Sequence, residues 1–298
     1  MDAPLRTRFE PHRPLDLAMT LGPVGDWASL RVTQGVAWRA TLTPEGPATL
    51  RLVQTARGVE VEAWGAGAAW AAAGAATLCG EEDDDSGFRP VHGLLRDVHR
   101  RNPGLRLPKT RAVFEALVPL VLEQKVTGLE ARRSYRALVR SLGEPAPGPA
   151  GLTVPPSAEV LSRTPYWTFH KFGVERRRAE VIIRAARSAS RLEETITMDL
   201  AAARRRLEAF PGVGPWTAAG VALVALGDAD AVQVGDYNLP HTVAYALEGA
   251  ARSTDARMLE LLDPYRGHRA RVIRLIRIAG ITAPRFGPRM PLRNFAKD

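Results

Sequence analysis

The chain has 298 residues, 45% apolar and 24% charged, which is enough to bury a core and argues against disorder throughout. A single cysteine, Cys79, excludes an intrachain disulfide, a cysteine-rich structural zinc site and a four-cysteine iron–sulfur cluster. The net charge of +9 is segregated. Residues 1–100 hold ten Arg against thirteen acids, net −3, and residues 101–298 carry net +12, an electrostatic footprint for a polyanion. Only four of the 41 bases are Lys (Lys109, Lys125, Lys171 and Lys297), and an arginine bias of that kind also arises from genome composition. No apolar run approaches about 18 residues, so no membrane-spanning helix is expected. The N-terminal stretch MDAPLRTRFEPHRPLD has no apolar signal region, and a cytoplasmic location is expected.

In chain order, residues 28–32, 36–42, 48–54 and 59–64 alternate apolar and polar positions between Gly- and Pro-containing turns. They predict a small antiparallel sheet with one covered face. Residues 66–79 are Ala-rich and predict a helix. The five acids Glu81 to Asp85 predict a solvated loop. From residue 111 the period becomes helical, with Val113, Leu117, Leu120, Val121 and Leu138 on one stripe. Residues 144–156 form a Pro/Gly loop. Helical patterns follow at 174–191, 199–209, 215–226, 240–247, 255–262 and 267–279. The expected fold is mainly α, with an N-terminal α+β domain over residues 1–105 and a helical domain over residues 106–298.

Between two of these helices lies Pro211-Gly212-Val213-Gly214. Two glycines let the backbone turn tightly and approach a partner, and Pro215 suits the first turn of the next helix. Free amides there can bind a phosphate, although the same residues also make an ordinary helix corner. One helix further on, Gly235-Asp236-Tyr237-Asn238-Leu239-Pro240 places an Asp before a helix start, where Asp also serves as an N-cap.

A hairpin followed at this spacing by an Asp resembles the helix-hairpin-helix DNA glycosylase superfamily. Asn102-Pro103-Gly104-Leu105-Arg106-Leu107-Pro108, Phe114-Glu115, Leu122-Glu123-Gln124-Lys125-Val126-Thr127 and residues 171–189 resemble its bacterial 3-methyladenine glycosylase II group. The resemblance implies a DNA N-glycosylase that removes alkylated bases of the 3-methyladenine type from damaged double-stranded DNA in base excision repair, acting as a monomer and away from membranes. By the same resemblance Asp236 is the catalytic carboxylate, and Trp216, Tyr237 and Gln124 line the pocket. Gly212, Val213, Gly214, Thr217 and Lys125 are then expected to meet DNA, and His268 and Arg269, in the basic cluster Tyr265-Arg266-Gly267-His268-Arg269, are expected to touch phosphate. No cofactor is implied, except for a monovalent cation at the hairpin.

The chemistry fits the residue types. A carboxylate near the sugar stabilises an oxocarbenium-like transition state and guides water. A cationic alkylated purine is already a good leaving group and stacks well on aromatic faces. The base must be flipped out to be reached. Strand-cleaving members carry a Lys where this chain has Trp216, so the resemblance implies a hydrolytic, monofunctional enzyme. The chain departs from the group in three places. Lys125 stands where a Leu fills the gap left by the flipped base, Gly220 where a Tyr is usual, and Arg277 near a second pocket Trp. A pocket with fewer aromatics and more room is therefore expected, open to bulkier adducts, or a lesion-binding module with little catalysis. The six histidines show no metal-ligand spacing. Arg176–Arg178 and Arg204–Arg206 predict solvated helix faces available to a phosphate backbone.

Overall fold

A computed structural model describes residues 3–25 and 28–284. Five strands form an antiparallel sheet: β1 (Leu5–Phe9), β2 (Leu30–Thr33), β3 (Val36–Thr43), β4 (Gly46–Thr55) and β5 (Gly58–Trp64), in the spatial order β1-β5-β4-β3-β2. The pairing sets Ala37 against Leu52, Leu52 against Val61, and Leu50 against Ala63, which puts one set of small and branched residues on a single face. That face is covered by the short helices α1 (Leu17–Leu21), α2 (Ala68–Ala73) and α3 (Ala75–Leu78). On β5 the alternate residues Glu60 and Glu62 turn outward, and Glu62 pairs with Arg51.

The strand β1 lies outside the sequence expectation. It is an edge strand with little burial, hydrogen-bonded from Leu5 opposite Ala63 to Phe9 opposite Val59. Backbone pairing holds it without a buried stripe, so periodicity gave no signal.

The helices are α4 (Gly93–Arg101), α5 (Val113–Leu122), α6 (Gly128–Leu142), α7 (Ala158–Arg163), α8 (Arg176–Arg187), α9 (Ala189–Glu193) and α10 (Leu200–Glu208). They continue with α11 (Pro215–Val221), which runs into a π-helical turn at Ala222–Leu226, then α12 (Leu239–Glu248), α13 (Asp255–Leu262) and α14 (Arg269–Ile278). The expected helical stretch at 111–142 is two helices broken at residues 123–127, and 174–191 breaks at Ser188. Within the Pro/Gly loop at 144–156, Glu144–Pro145 pairs with Thr153–Val154.

A central helical core joins Val113, Leu117 and Val121 of α5 to Leu138, Ile182, Leu207, Ala218 and Val221. A further core joins Phe88, Leu95 and Val98 to Leu239, Val243, Met258, Leu262, Val272 and Ile276. Helix α4, absent from the sequence expectation, thus packs with the C-terminal helices and not with the sheet. The segment 1–105 therefore does not share one core.

The acidic run is a second correction. Asp83 is buried, accepts from Arg13, Arg271 and the Leu107 amide, and so joins three distant parts of the chain. Glu81 accepts from the fully buried Arg106. A run of like charge is stable here because each inward carboxylate meets an arginine.

Candidate functional site

The site is built where the end of α5, the start of α11 and the start of α12 meet. At the hairpin, Gly212 adopts φ +95°, and a Cβ there would lie 2.4 Å from a Val181 methyl of α8. Only glycine fits both the backbone and the space. Val213 tucks its side chain into the core, and its amide donates to the Phe210 carbonyl at 2.9 Å. Its N–H is therefore spent inside the turn, which corrects the expectation that Val213 offers an amide to phosphate. Gly214 precedes α11 in extended backbone, with Pro215 as the first helical residue. The amides of Trp216 and Thr217 fall in the first turn, where a helix has no internal acceptor for them.

Asp236 comes to this hairpin. Its Oδ2 accepts from the Trp216 indole Nε1 at 2.9 Å, and its Oδ1 accepts from the amides of Asn238 and Leu239 at 2.8 Å each. Asn238 holds the N-cap position of α12, and Asp236, two residues earlier, orders the approach to it with one oxygen while the other faces the hairpin helix. Asp236 is half-buried and forms no ion pair among the described residues. Upstream, the Gly235 amide donates to Asp255, which fixes the loop that carries it.

Gln124 is brought to the same place, but as a tie. Its Nε2 donates at 3.0 Å both to the Gly212 carbonyl and to the Thr217 hydroxyl. Thr217 is buried, so it cannot reach DNA, and its hydroxyl holds Gln124 instead. Lys125, next in the chain, is exposed at φ +58°, a left-handed conformation that costs a non-glycine residue energy. The turn is anchored from below. The buried Arg178 of α8 donates to the Leu122 carbonyl and to Glu175, while Thr127 caps α6 through the Glu130 amide. Arg184 donates to the Pro211 carbonyl at 3.2 Å.

Other expected residues lie elsewhere. Tyr237 is 80% exposed and meets His241 edge-on, so it stands on the rim and does not line a pocket. Arg269 is locked to Asp230 through two nitrogens, and His268 packs edge-on against Phe88. Burial, then Arg271, pushes the His268 imidazole below its usual range. Arg269 is thus already paired, while His268 is held by ring packing and its buried Nδ1 has no hydrogen-bond partner among the described residues. Gly220 does not open the pocket: a Cβ there would meet Leu120 at 2.8 Å and the Gln233 amide at 3.1 Å. The volume a larger residue would take is already filled, which removes the motive for a roomier pocket. Arg277 is exposed on α14. A cleft of about 300 Å³ lies away from Asp236, between Gly80, Lys109, Asp199 and Gly227.

No protein-family model matches the chain. Over 151 residues it is 34% identical to a protein of Mycobacterium tuberculosis named a probable bifunctional transcriptional activator/DNA repair enzyme AlkA. The match covers 49% of this chain and 29% of that protein. Over 130 residues it is 31% identical to DNA-3-methyladenine glycosylase 2 of Escherichia coli, covering 43% of this chain and 46% of that one. The chain thus spans less than half the length of these curated relatives. Its backbone superposes on a solved 3-methyladenine DNA-glycosylase from Archaeoglobus fulgidus with a TM-score of 0.73, at 19% identity, over 91% of this chain and 97% of that one. It shares the fold of that solved glycosylase, and over about half its length its sequence is similar to these two proteins.

Within that fold, three supporting residues escaped the sequence reading. Arg178 looked like part of a solvated run, although it shares a helical stripe with Ile182 and Ala185, which the i, i+4, i+7 spacing could have revealed. Arg184 and Glu123 lie inside stretches that carry the resemblance, yet neither was assigned a role there. Among the described residues no cluster of three His, Cys, Asp or Glu side chains could hold a metal ion. The Pro211 and Gly212 carbonyls already accept from Arg184 and Gln124, so a cation held by them would compete with those donors.

Proposed function

We propose that the chain is a monofunctional DNA N-glycosylase that releases alkylated bases of the 3-methyladenine type from duplex DNA, opening base excision repair. One observation carries this reading: the Asp236 carboxylate is hydrogen-bonded to the Trp216 indole at the start of the hairpin's second helix. The names of the sequence relatives support the same activity.

In this reading the flipped nucleotide enters beside Trp216, whose half-buried ring stacks on an electron-poor base. The Asp236 carboxylate faces the sugar as the C1′–N bond lengthens, stabilises positive charge there and takes a proton from the attacking water. Its oxygens are already oriented by three donors, so little reorganisation is needed. With Trp216 in place of an amine, water is the nucleophile and the strand stays intact. The amides of Gly212, Gly214 and Trp216 hold a backbone phosphate. Lys125, at the tip of its anchored turn, reaches the space left by the base and the flanking phosphates. The chain acts as a monomer in the cytoplasm, with a DNA affinity that falls with salt.

The test is release of 3-methyladenine and 7-methylguanine from methylated duplex DNA by wild type and by Asp236→Asn. Loss of about 100-fold or more in the variant is expected, whereas equal rates would remove Asp236 from the role.

A further inference from the structure

A run of 3-10 helix, Tyr166–Phe172, lies between α7 and α8. It carries Trp167, which is 62% exposed, whereas Trp38, Trp64, Trp70 and Trp216 are buried or half-buried. The Trp167 ring meets Tyr166 edge-on with centres 5.3 Å apart, and Tyr166 meets His170 edge-on at 5.8 Å. The Arg176 guanidinium lies 4.6 Å from the centre of the Tyr166 ring. These contacts hold an aromatic step on the surface. Cations surround it. Lys171 and Arg177 are exposed and form no ion pair among the described residues, while Arg176 shares Glu180. The step neighbours the Lys125 turn. Arg178, two residues after Arg176 on α8, donates to the Leu122 carbonyl at the base of that turn. Helix α6, which begins three residues after Lys125, packs against the 3-10 run.

A tryptophan held in water by its neighbours is a stacking platform. The cations beside it repel a cationic ligand and attract phosphates. An intact duplex hides the faces of its bases, so this ring can serve only bases that stand outside a duplex stack. We propose that Trp167, with Lys171 and Arg177 beside it, binds an unpaired DNA strand next to the duplex held at the Lys125 turn, which keeps the enzyme at lesions that border single-stranded DNA. The proposal rests on the duplex binding read above. One base stacks on the open side of Trp167, and the flanking phosphates meet Lys171 and Arg177. Tyr166 and Arg176 act through Trp167, by fixing its ring. Among the described residues no contact links Trp167 to Asp236 or Trp216, so base release from a plain duplex does not depend on it.

The experiment measures binding of labelled DNA by fluorescence anisotropy for wild type, Trp167→Ala and Trp167→Phe. The probes are a blunt duplex with a central abasic site, that duplex with a 3′ or 5′ thymidine tail of about 12 nucleotides, and the same duplex with a tail of equal length that has sugars and phosphates but no bases. Thermal melting verifies that each variant is folded. Wild type is expected to bind the thymidine-tailed duplex about tenfold more tightly than the base-free one, in at least one polarity. Trp167→Ala binds the two tails alike and stays within about twofold of wild type on the blunt duplex, and Trp167→Phe keeps part of the preference. A wild type that distinguishes the tails in neither polarity, a Trp167→Ala that still distinguishes them, or an equal loss on every probe would overturn the proposal. So would Trp167-dependent binding to phosphatidylglycerol vesicles with no preference between tails. A wild type that fails to bind the blunt duplex would overturn the duplex reading itself.

Discussion

Replacing Gly212 by Ala tests whether the hairpin is fixed by backbone geometry and by one neighbour. The new methyl would sit 2.4 Å from one Val181 methyl and 3.0 Å from the other. Val181 is buried and β-branched, so it cannot rotate aside freely. Overpacking of that kind costs about 1–3 kcal/mol. The backbone at φ +95° adds about 1–2 kcal/mol for a residue with a Cβ. The expected loss is therefore about 2–5 kcal/mol, read by urea unfolding with tryptophan fluorescence. The two contributions can be separated. In a Val181→Ala background the clash is relieved, and Gly212→Ala should cost only the backbone share, giving a coupling of about 1–3 kcal/mol between the sites. Additive effects, or a loss below about 0.5 kcal/mol, would refute the reasoning. Because the Gly212 carbonyl anchors Gln124, duplex binding should weaken in Gly212→Ala and recover in part in the double variant.

Asp236→Asn should keep an acceptor for the Asn238 and Leu239 amides and change stability by less than about 0.5 kcal/mol, whereas Asp236→Ala should lose about 1 kcal/mol with those two hydrogen bonds; comparing unfolding with base release separates the two roles of this residue. Gln124→Ala cuts both ties between the α5–α6 turn and the hairpin and should lower kcat/KM by about tenfold with about 1 kcal/mol of stability lost, measured by single-turnover kinetics and melting. For Asp230, burial opposes ionisation but the hydrogen bonds and charge of Arg269 prevail and hold the carboxyl below its usual range. Such a group stabilises the fold above the unfolded value near ~3.9, and the contribution disappears as pH falls through the lower folded value. Arg269→Met should therefore flatten the stability profile below about pH 4, and an unchanged acid limb would count against the pairing.

The glycines and prolines of the hairpin and the Asp before α12 were legible because they answer to the backbone: a tight turn, a first helical position and an acceptor for amides at a helix start have few chemical solutions. The sheet strands β2 to β5 announced themselves through one buried face. Strand β1 did not, since hydrogen bonds at the sheet edge hold it with every side chain but Phe9 exposed. Helix α4 buries only Leu95 and Val98 amid arginines, too little to set a period. Gly220 misled for another reason. A missing side chain reads as empty space along one chain, yet here Leu120, a hundred residues earlier, occupies it. His268 and Arg269 likewise have partners, Phe88 and Asp230, that local sequence does not reveal.

The buried pairing of Asp83 with Arg271, and of Glu81 with Arg106, bears on how this gene could be divided. The charge boundary near residue 100 looks like a convenient place to cut, with an acidic piece on one side and a basic piece on the other. A fragment beginning there would carry Arg106 and Arg271, both almost wholly inaccessible to water in the intact chain, without the carboxylates that neutralise them. An unpaired buried charge costs several kcal/mol, so the basic portion is not a portable module. The two halves of opposite sign are mutual counter-ions, and recombination or truncation through the acidic run would unmake both.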